Sequence, residues 1–236
     1  MYTYLCRGGI CVTYQSLAPT EDCRPIRDIA YEQLKHAIIT GEIPAGSRIV
    51  ETAYAEKLHI SRTPLREALR KLERDGLVEY VLHRGVLVRA FTINDIDEIF
   101  TIRNAMMMLL LPSIVERITQ EDIDRLAVIL KDMDVAERNA DVERLAIFNR
   151  SFHNGMEKIS DKRRVRSVLD SQEEYIMRFS AIAIAGVVRR TNAHQEHHQM
   201  LTLLEKRDLD GLMKLMNHHL EESKTACLHA VKGKVL

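Results

Sequence analysis

The sequence has no excess of one charge: 34 Lys and Arg stand against 34 Asp and Glu. Overall charge therefore points to no nucleic-acid partner. Cysteine is scarce, at four residues, and the spacing of Cys6, Cys11, Cys23 and Cys227 matches neither a zinc motif nor a CxxC pair. These read as free thiols in a reducing cytosol. No apolar run reaches the roughly 18 residues that suggest a membrane span. Residues 106–111 are apolar but short. Arg7 lies near the start, but Gly8, Gly9 and scattered polar residues interrupt any signal-peptide core. There is no low-complexity tract and no internal repeat. The expectation is a cytoplasmic globular protein with no membrane association.

What is present is ordinary in bulk and informative in order. The 236 residues, 46% hydrophobic and 29% charged, suffice for one large or two modest domains. Residues 24–90 carry 12 basic and 9 acidic side chains, and residues 91–236 carry 21 and 23. This mild asymmetry allows the front half to face DNA without establishing it.

After an extension over 1–24, to which no function is assigned, Ile26, Ile29, Ala30, Leu34, Ala37 and Ile38 recur at helical steps. Gly41, Pro44 and Gly46 end that helix. A short helix is expected over 51–58. Ser61 stands as the N-cap of a helix over 62–75, with Pro64 in its first turn and Gly76 after its end. Two β-like runs, 77–82 and 86–91, flank His83-Arg84-Gly85 and read as a hairpin with a basic tip. Helix, helix-turn-helix and hairpin together make a winged helix-turn-helix over 25–91.

Beyond Phe91 everything reads as helix. Thr92-x-x-Asp95 and Thr119-x-x-Asp122 are box-like starts. Helices are expected over 93–118, 120–138, 141–159, 162–184, 190–207 and 209–230, with Pro112 inside the first. The fold class is mainly α: a winged helix-turn-helix followed by an all-α bundle over 92–236.

A helix that reads DNA points its N-terminal residues at base edges, and arginine is the best bidentate reader of guanine. The helix at 62–75 opens Ser61-Arg62-Thr63-Pro64-Leu65-Arg66. Its hydroxyls suit phosphates. Leu65, Ala68, Leu69 and Leu72 face inward, Arg66 and Arg70 outward, and Arg84 sits at the hairpin tip. On spacing alone, solvation of a surface helix explains these arginines equally well.

Residues 34–88 closely resemble the N-terminal domain of GntR-type regulators. The match runs through Ile39, Gly41, Ile43, Gly46, Ile49 and Glu51. It continues through Ala55, Leu58, Ile60-Ser61-Arg62-Thr63-Pro64-Leu65-Arg66-Glu67-Ala68-Leu69, Leu72-Glu73, Gly76-Leu77-Val78, Arg84-Gly85 and Val88. The resemblance implies that Ser61, Arg62, Thr63, Arg66 and the wing glycine Gly85 with its neighbours contact an operator. It also implies a homodimer on a short inverted repeat. Glu51 matches a frequent family position and reads equally well as an acid at a helix start.

In the helical half, Asn149 and His153 share a face at i and i+4. His197 lies 11 residues before Asp208 and His219 lies 11 after it. If Asp208 caps the turn between antiparallel helices, the two histidines stand level, with His198 and His218 pointing away. Three imidazoles and an oxygen ligand make a plausible zinc or nickel set. This half resembles the FCD effector domain of one large, FadR-like GntR subfamily, through Asn149-x-x-Phe152-His153, Glu196-His197 and His219-Leu220. The resemblance implies a divalent metal on Asn149, His153, His197 and His219, and a small organic acid as effector. Arg103, which matches an arginine of the first effector-domain helix, is the candidate contact for its carboxylate. Asn149 replaces the family's carboxylate with a neutral, weaker donor, and Met107 replaces a usual glutamate. Two other readings stay open: a metal-dependent hydrolase or isomerase, for which Glu196 and Glu157 are the acids to test, and histidines that merely pack the bundle.

Overall fold

A computed structural model describes residues 24–232. The expected extension at 1–24, and with it Cys6, Cys11 and Cys23, lies outside the described residues but for Arg24. The chain divides after Phe91 into two units.

The first unit holds α1 (Ile26–Ile39), β1 (Arg48–Ile49), α2 (Glu51–Lys57), α3 (Arg62–Arg74), β2 (Val78–Val81) and β3 (Gly85–Val88). Leu34, Ala37 and Ile38 of α1 meet Leu65, Ala68, Leu69 and Leu72 of α3 in a closed core. α3 stops in a Schellman turn: Leu77 N donates to Leu72 O at 2.9 Å and Gly76 N to Glu73 O at 3.0 Å. Gly76 takes φ +73°, which a side chain would strain. Ser61 is extended, as an N-cap must be, but its hydroxyl makes no capping hydrogen bond.

β2 and β3 form the expected hairpin, with Val81 opposite Gly85. The sheet also holds β1, which no periodicity announced. Two residues are too few to alternate, and pairing alone defines them: Arg48 opposite Leu87 and Ile49 opposite Val86. The order β1-β3-β2 places β3 centrally.

The second unit holds seven helices among the described residues: α4 (Ile93–Arg117), α5 (Gln120–Arg138), α6 (Val142–Ile159), α7 (Arg163–Ser171), α8 (Glu173–Ile184), α9 (Val187–Glu205) and α10 (Leu209–Val231). Both expected boxes form, Thr92 with Asp95 and Thr119 with Asp122. The Asp208 side chain caps α10 through Gly211 N. Such caps each contribute about 1 kcal/mol. α4 runs through Pro112. It is long and apolar enough to cross a bilayer on composition alone. Here its Phe100, Met107, Leu110, Leu111 and Ile114 are buried, and it packs against α6, α7, α8 and α10.

The helix expected over 162–184 is two. Gln172, at φ −101° and ψ 1°, ends α7 and begins α8. No glycine or proline marks the break. Packing does, with Leu169 and Ile176 buried on either side and Glu173 gripped by Arg150. α9 starts at Val187, three residues earlier than its periodicity suggested.

Candidate functional sites

In the first unit, burial of Leu65, Ala68 and Leu69 turns Ser61, Arg62, Thr63, Arg66 and Arg70 outward. Arg84 is exposed at the hairpin turn, beside Gly85 at φ +79°. A surface cleft of about 250 Å³ joins these parts, lined by Arg48, Glu51, Thr52, Arg62, Tyr80 and Gly85. The start of α3 and the hairpin therefore share one face. Glu51 lies within it, and its Oε2 accepts from Arg66 Nε at 2.7 Å and from Arg62 Nη2 at 3.2 Å. Burial pushes the Glu51 carboxyl up, but the two guanidinium groups outweigh that and hold it below its ordinary range. The sequence marked Glu51 as a frequent family position and as an acid at a helix start, not as a partner of these arginines.

In the second unit, His153 of α6, His197 of α9 and His219 of α10 converge, all buried. Their ring centroids lie 4.8–5.2 Å apart. His197 Nε2 is 3.2 Å from His153 Nε2. One donor nitrogen of each ring lies within 4.8 Å of the others. Burial is the first cause that keeps all three neutral. It drives His153 and His197 well below the ordinary histidine value and His219 down to about 4, against the pull of Glu196. Neutral imidazole is the form that can ligate a metal. His198 and His218 point away, as their phase requires.

Behind His219 stands a second layer. Its Nδ1 lies 2.6 Å from Glu196 Oε2. Arg189 grips Glu196 with two hydrogen bonds of 2.8 Å, and also donates to Ser223 Oγ and to the His219 carbonyl. Arg189 Nη2 also approaches this Nδ1, at 3.1 Å, but the shorter carboxylate contact favours the proton on Nδ1 and leaves the Nε2 lone pair free. Burial raises the Glu196 pKa, but His219 and Arg189 overcome it and bring it to about 2. By contrast, the Nδ1 atoms of His153 and His197 are buried without a partner. Asn149 is buried one turn before His153 on α6.

Two arginines lie close by with opposite fates. Arg150 pairs with both oxygens of Glu157, at 2.9 and 3.0 Å, and with Glu173. Arg103 of α4 is 2% exposed and makes one hydrogen bond, from Nη1 to Ser180 Oγ at 3.0 Å. Its Nε and Nη2 have no partner, and among the described residues no carboxylate forms an ion pair with it. Burial first, and Arg150 next, push its pKa down to about 10. Its charge also bears on His153, His197 and His219. Glu157 and Glu196, the two acids open to a catalytic reading, are both locked in bidentate pairs with arginine.

Comparison with known proteins agrees with both halves. The chain matches the family model described as bacterial regulatory proteins, gntR family, over residues 27–88, and that of the FCD domain over 98–222. The HTH-type transcriptional regulator YdhC of Bacillus subtilis (strain 168) is 28% identical over 200 residues, 82% of this chain and 89% of that protein. The HTH-type transcriptional repressor RspR of Escherichia coli (strain K12) is 23% identical over 206 residues, 87% of this chain and 89% of that one. Among solved structures, E. coli McbR/YncC shares the fold at a TM-score of 0.67 and 21% identity, over 87% of this chain and 98% of its own. The relatives are regulators rather than enzymes. With its front unit matched to one model and more than half its length to the other, the chain belongs to the GntR family of bacterial regulatory proteins, in the group that carries an FCD domain.

Proposed function

We propose that this DNA-binding transcriptional regulator is a repressor, released from its operator when a small organic acid binds beside Arg103. The observation that carries the reading is Arg103 itself, a buried guanidinium with two unpartnered nitrogens whose charge acts on three neutral imidazoles. A buried charge without a counter-ion costs roughly 3 kcal/mol or more. A carboxylate that enters and pairs with it recovers that energy, and does so only in conformations that keep the helices around Arg103 in this arrangement. Differential affinity of this kind shifts a two-state equilibrium.

His153, His197 and His219, with the Asn149 amide oxygen, would hold a divalent ion of the zinc or nickel class. The donor set fits: three neutral imidazoles converge, and Glu196 fixes the tautomer of one. Such an ion would supply positive charge and open coordination positions for the acid's second group. Asn149 leaves the set one negative charge short of a carboxylate set, which favours an anionic effector as the completing ligand.

On the DNA side, Ser61, Arg62, Thr63, Arg66, Arg70, Arg84 and Gly85 form the operator face of a protomer. The reading is of a homodimer on a short inverted repeat, in the cytoplasm.

The test is calorimetric titration of succinate and of acetate into the zinc-loaded chain and its Arg103→Met variant, with operator anisotropy in parallel. Wild type is expected to bind one of these acids and release DNA, and Arg103→Met to do neither while still binding operator. Equal acid binding by both proteins rejects the role of Arg103.

A further inference from the structure

A second group of donors lies on a neighbouring face of α9, turned toward α5 rather than toward His153. His194 and His198 stand at i and i+4, so they share one face of that helix. Both turn toward Asp134 of α5. Asp134 Oδ1 is 2.7 Å from His194 Nε2 and 2.9 Å from His198 Nε2. The rings lie edge to face with centroids 4.9 Å apart. One donor atom from each residue lies within 4.8 Å of the other two.

We infer that Asp134, His194 and His198 form a second divalent metal site, of the zinc class, that clamps α5 to α9. Two imidazoles and a carboxylate are a common three-ligand set for such an ion, with the fourth position left to water. In a tetrahedral site with bonds of about 2.0–2.1 Å, neighbouring donors stand roughly 3.3 Å apart. Both Nε2 atoms already converge on Asp134 Oδ1, and each needs to recede from it by only about half an ångström to reach that spacing, the ion taking the place of any proton between them. The site is accessible as well as aimed. His194 is largely buried, with its side chain 12% exposed, while Asp134 and His198 are 34% and 46% exposed. An ion can therefore arrive from solvent and keep a water.

The ground on which the donors stand is fixed. One turn along α5, Glu137 accepts from Arg190 Nε at 3.1 Å and from Thr191 Oγ1 at 3.0 Å. That grip sets the register between the two helices and holds Asp134 opposite the histidine pair. The inference does not rest on the inner histidine cluster: His197 faces His153, while its neighbour His198 faces Asp134.

The experiment counts zinc. The untagged 236-residue chain is stripped with a chelator and dialysed against zinc chloride. Bound metal per chain is then measured by elemental analysis, with circular dichroism confirming the fold of each variant. Wild type is expected to hold one equivalent more than His198→Ala and one more than Asp134→Asn. His219→Ala reports the inner histidine cluster separately. Zinc lost in His198→Ala and Asp134→Asn but kept in His219→Ala supports the outer site and rejects the inner one. The reverse pattern rejects the outer site and leaves the inner one standing. Wild-type zinc content in both outer variants overturns the inference.

Discussion

Glu51 accepts a 2.7 Å hydrogen bond from the Nε of Arg66, so an arginine that opens α3 is already paired in the free protein. Arg62 leans on the same oxygen. One carboxylate thus holds two guanidinium groups in place and cancels part of their charge. It costs raw attraction for phosphate and adds order to the readers. Glu51→Gln is expected to tighten binding to random duplex and to steepen its salt dependence by about one unit in the logarithmic slope. The operator should gain less, so the ratio of specific to random affinity falls. Fluorescence anisotropy across salt concentrations measures both, and identical slopes for the two proteins contradict the role.

Arg62→Ala and Arg66→Ala are expected to weaken operator binding individually by about 5- to 100-fold, the range of a lost bidentate base contact. Their side chains are more than half exposed, and surface pairs such as theirs contribute about 0–1 kcal/mol to stability. Melting temperatures should stay near that of wild type. A large melting loss alongside the lost binding would mean that the arginines serve the fold.

Arg103→Met is expected to stabilise the ligand-free helical unit, because it removes a buried, half-satisfied charge and keeps most of the volume. Replacements of this sort contribute roughly 1–4 kcal/mol. At about 2–4 °C per kcal/mol for a unit of this size, the melting temperature should rise by at least about 2 °C. Succinate should then add nothing. A lower melting temperature in the variant would show that Arg103 is satisfied in the free protein.

Glu196→Gln tests the layer behind His219. The amide still fills the space but no longer enforces the Nδ1 proton, and it leaves Arg189 without its partner charge. Zinc affinity of the inner histidines should fall about 10- to 100-fold, as for other lost partners of ligating imidazoles. Competition with a fluorescent zinc chelator, in a protein that also carries His198→Ala, measures the inner site alone. Unchanged affinity would assign Glu196 to packing.

Much of this was legible in the chain itself, and for identifiable reasons. Thr92 with Asp95 and Thr119 with Asp122 announce helix starts because their bonds are local. His197 and His219 meet because equal offsets from the Asp208 cap become equal heights on antiparallel helices. What escaped was non-local. β1 exists only through its pairing with β3, and the break at Gln172 only through what Leu169 and Glu173 pack against. The grip of Glu51 on Arg66, across 15 positions, and that of Asp134 on His194, across 60, join residues whose spacing carries no period.

His197 and His198 are consecutive on α9, yet the first meets α6 and the second meets α5. Successive residues of a helix diverge by about 100° around its axis. α9 is therefore held like an axle between two keys. Rolling about the axis swings both imidazoles sideways off their partners at once, in either sense of rotation. Two consecutive residues thus fix the angle at which α9 sits between α5 and α6.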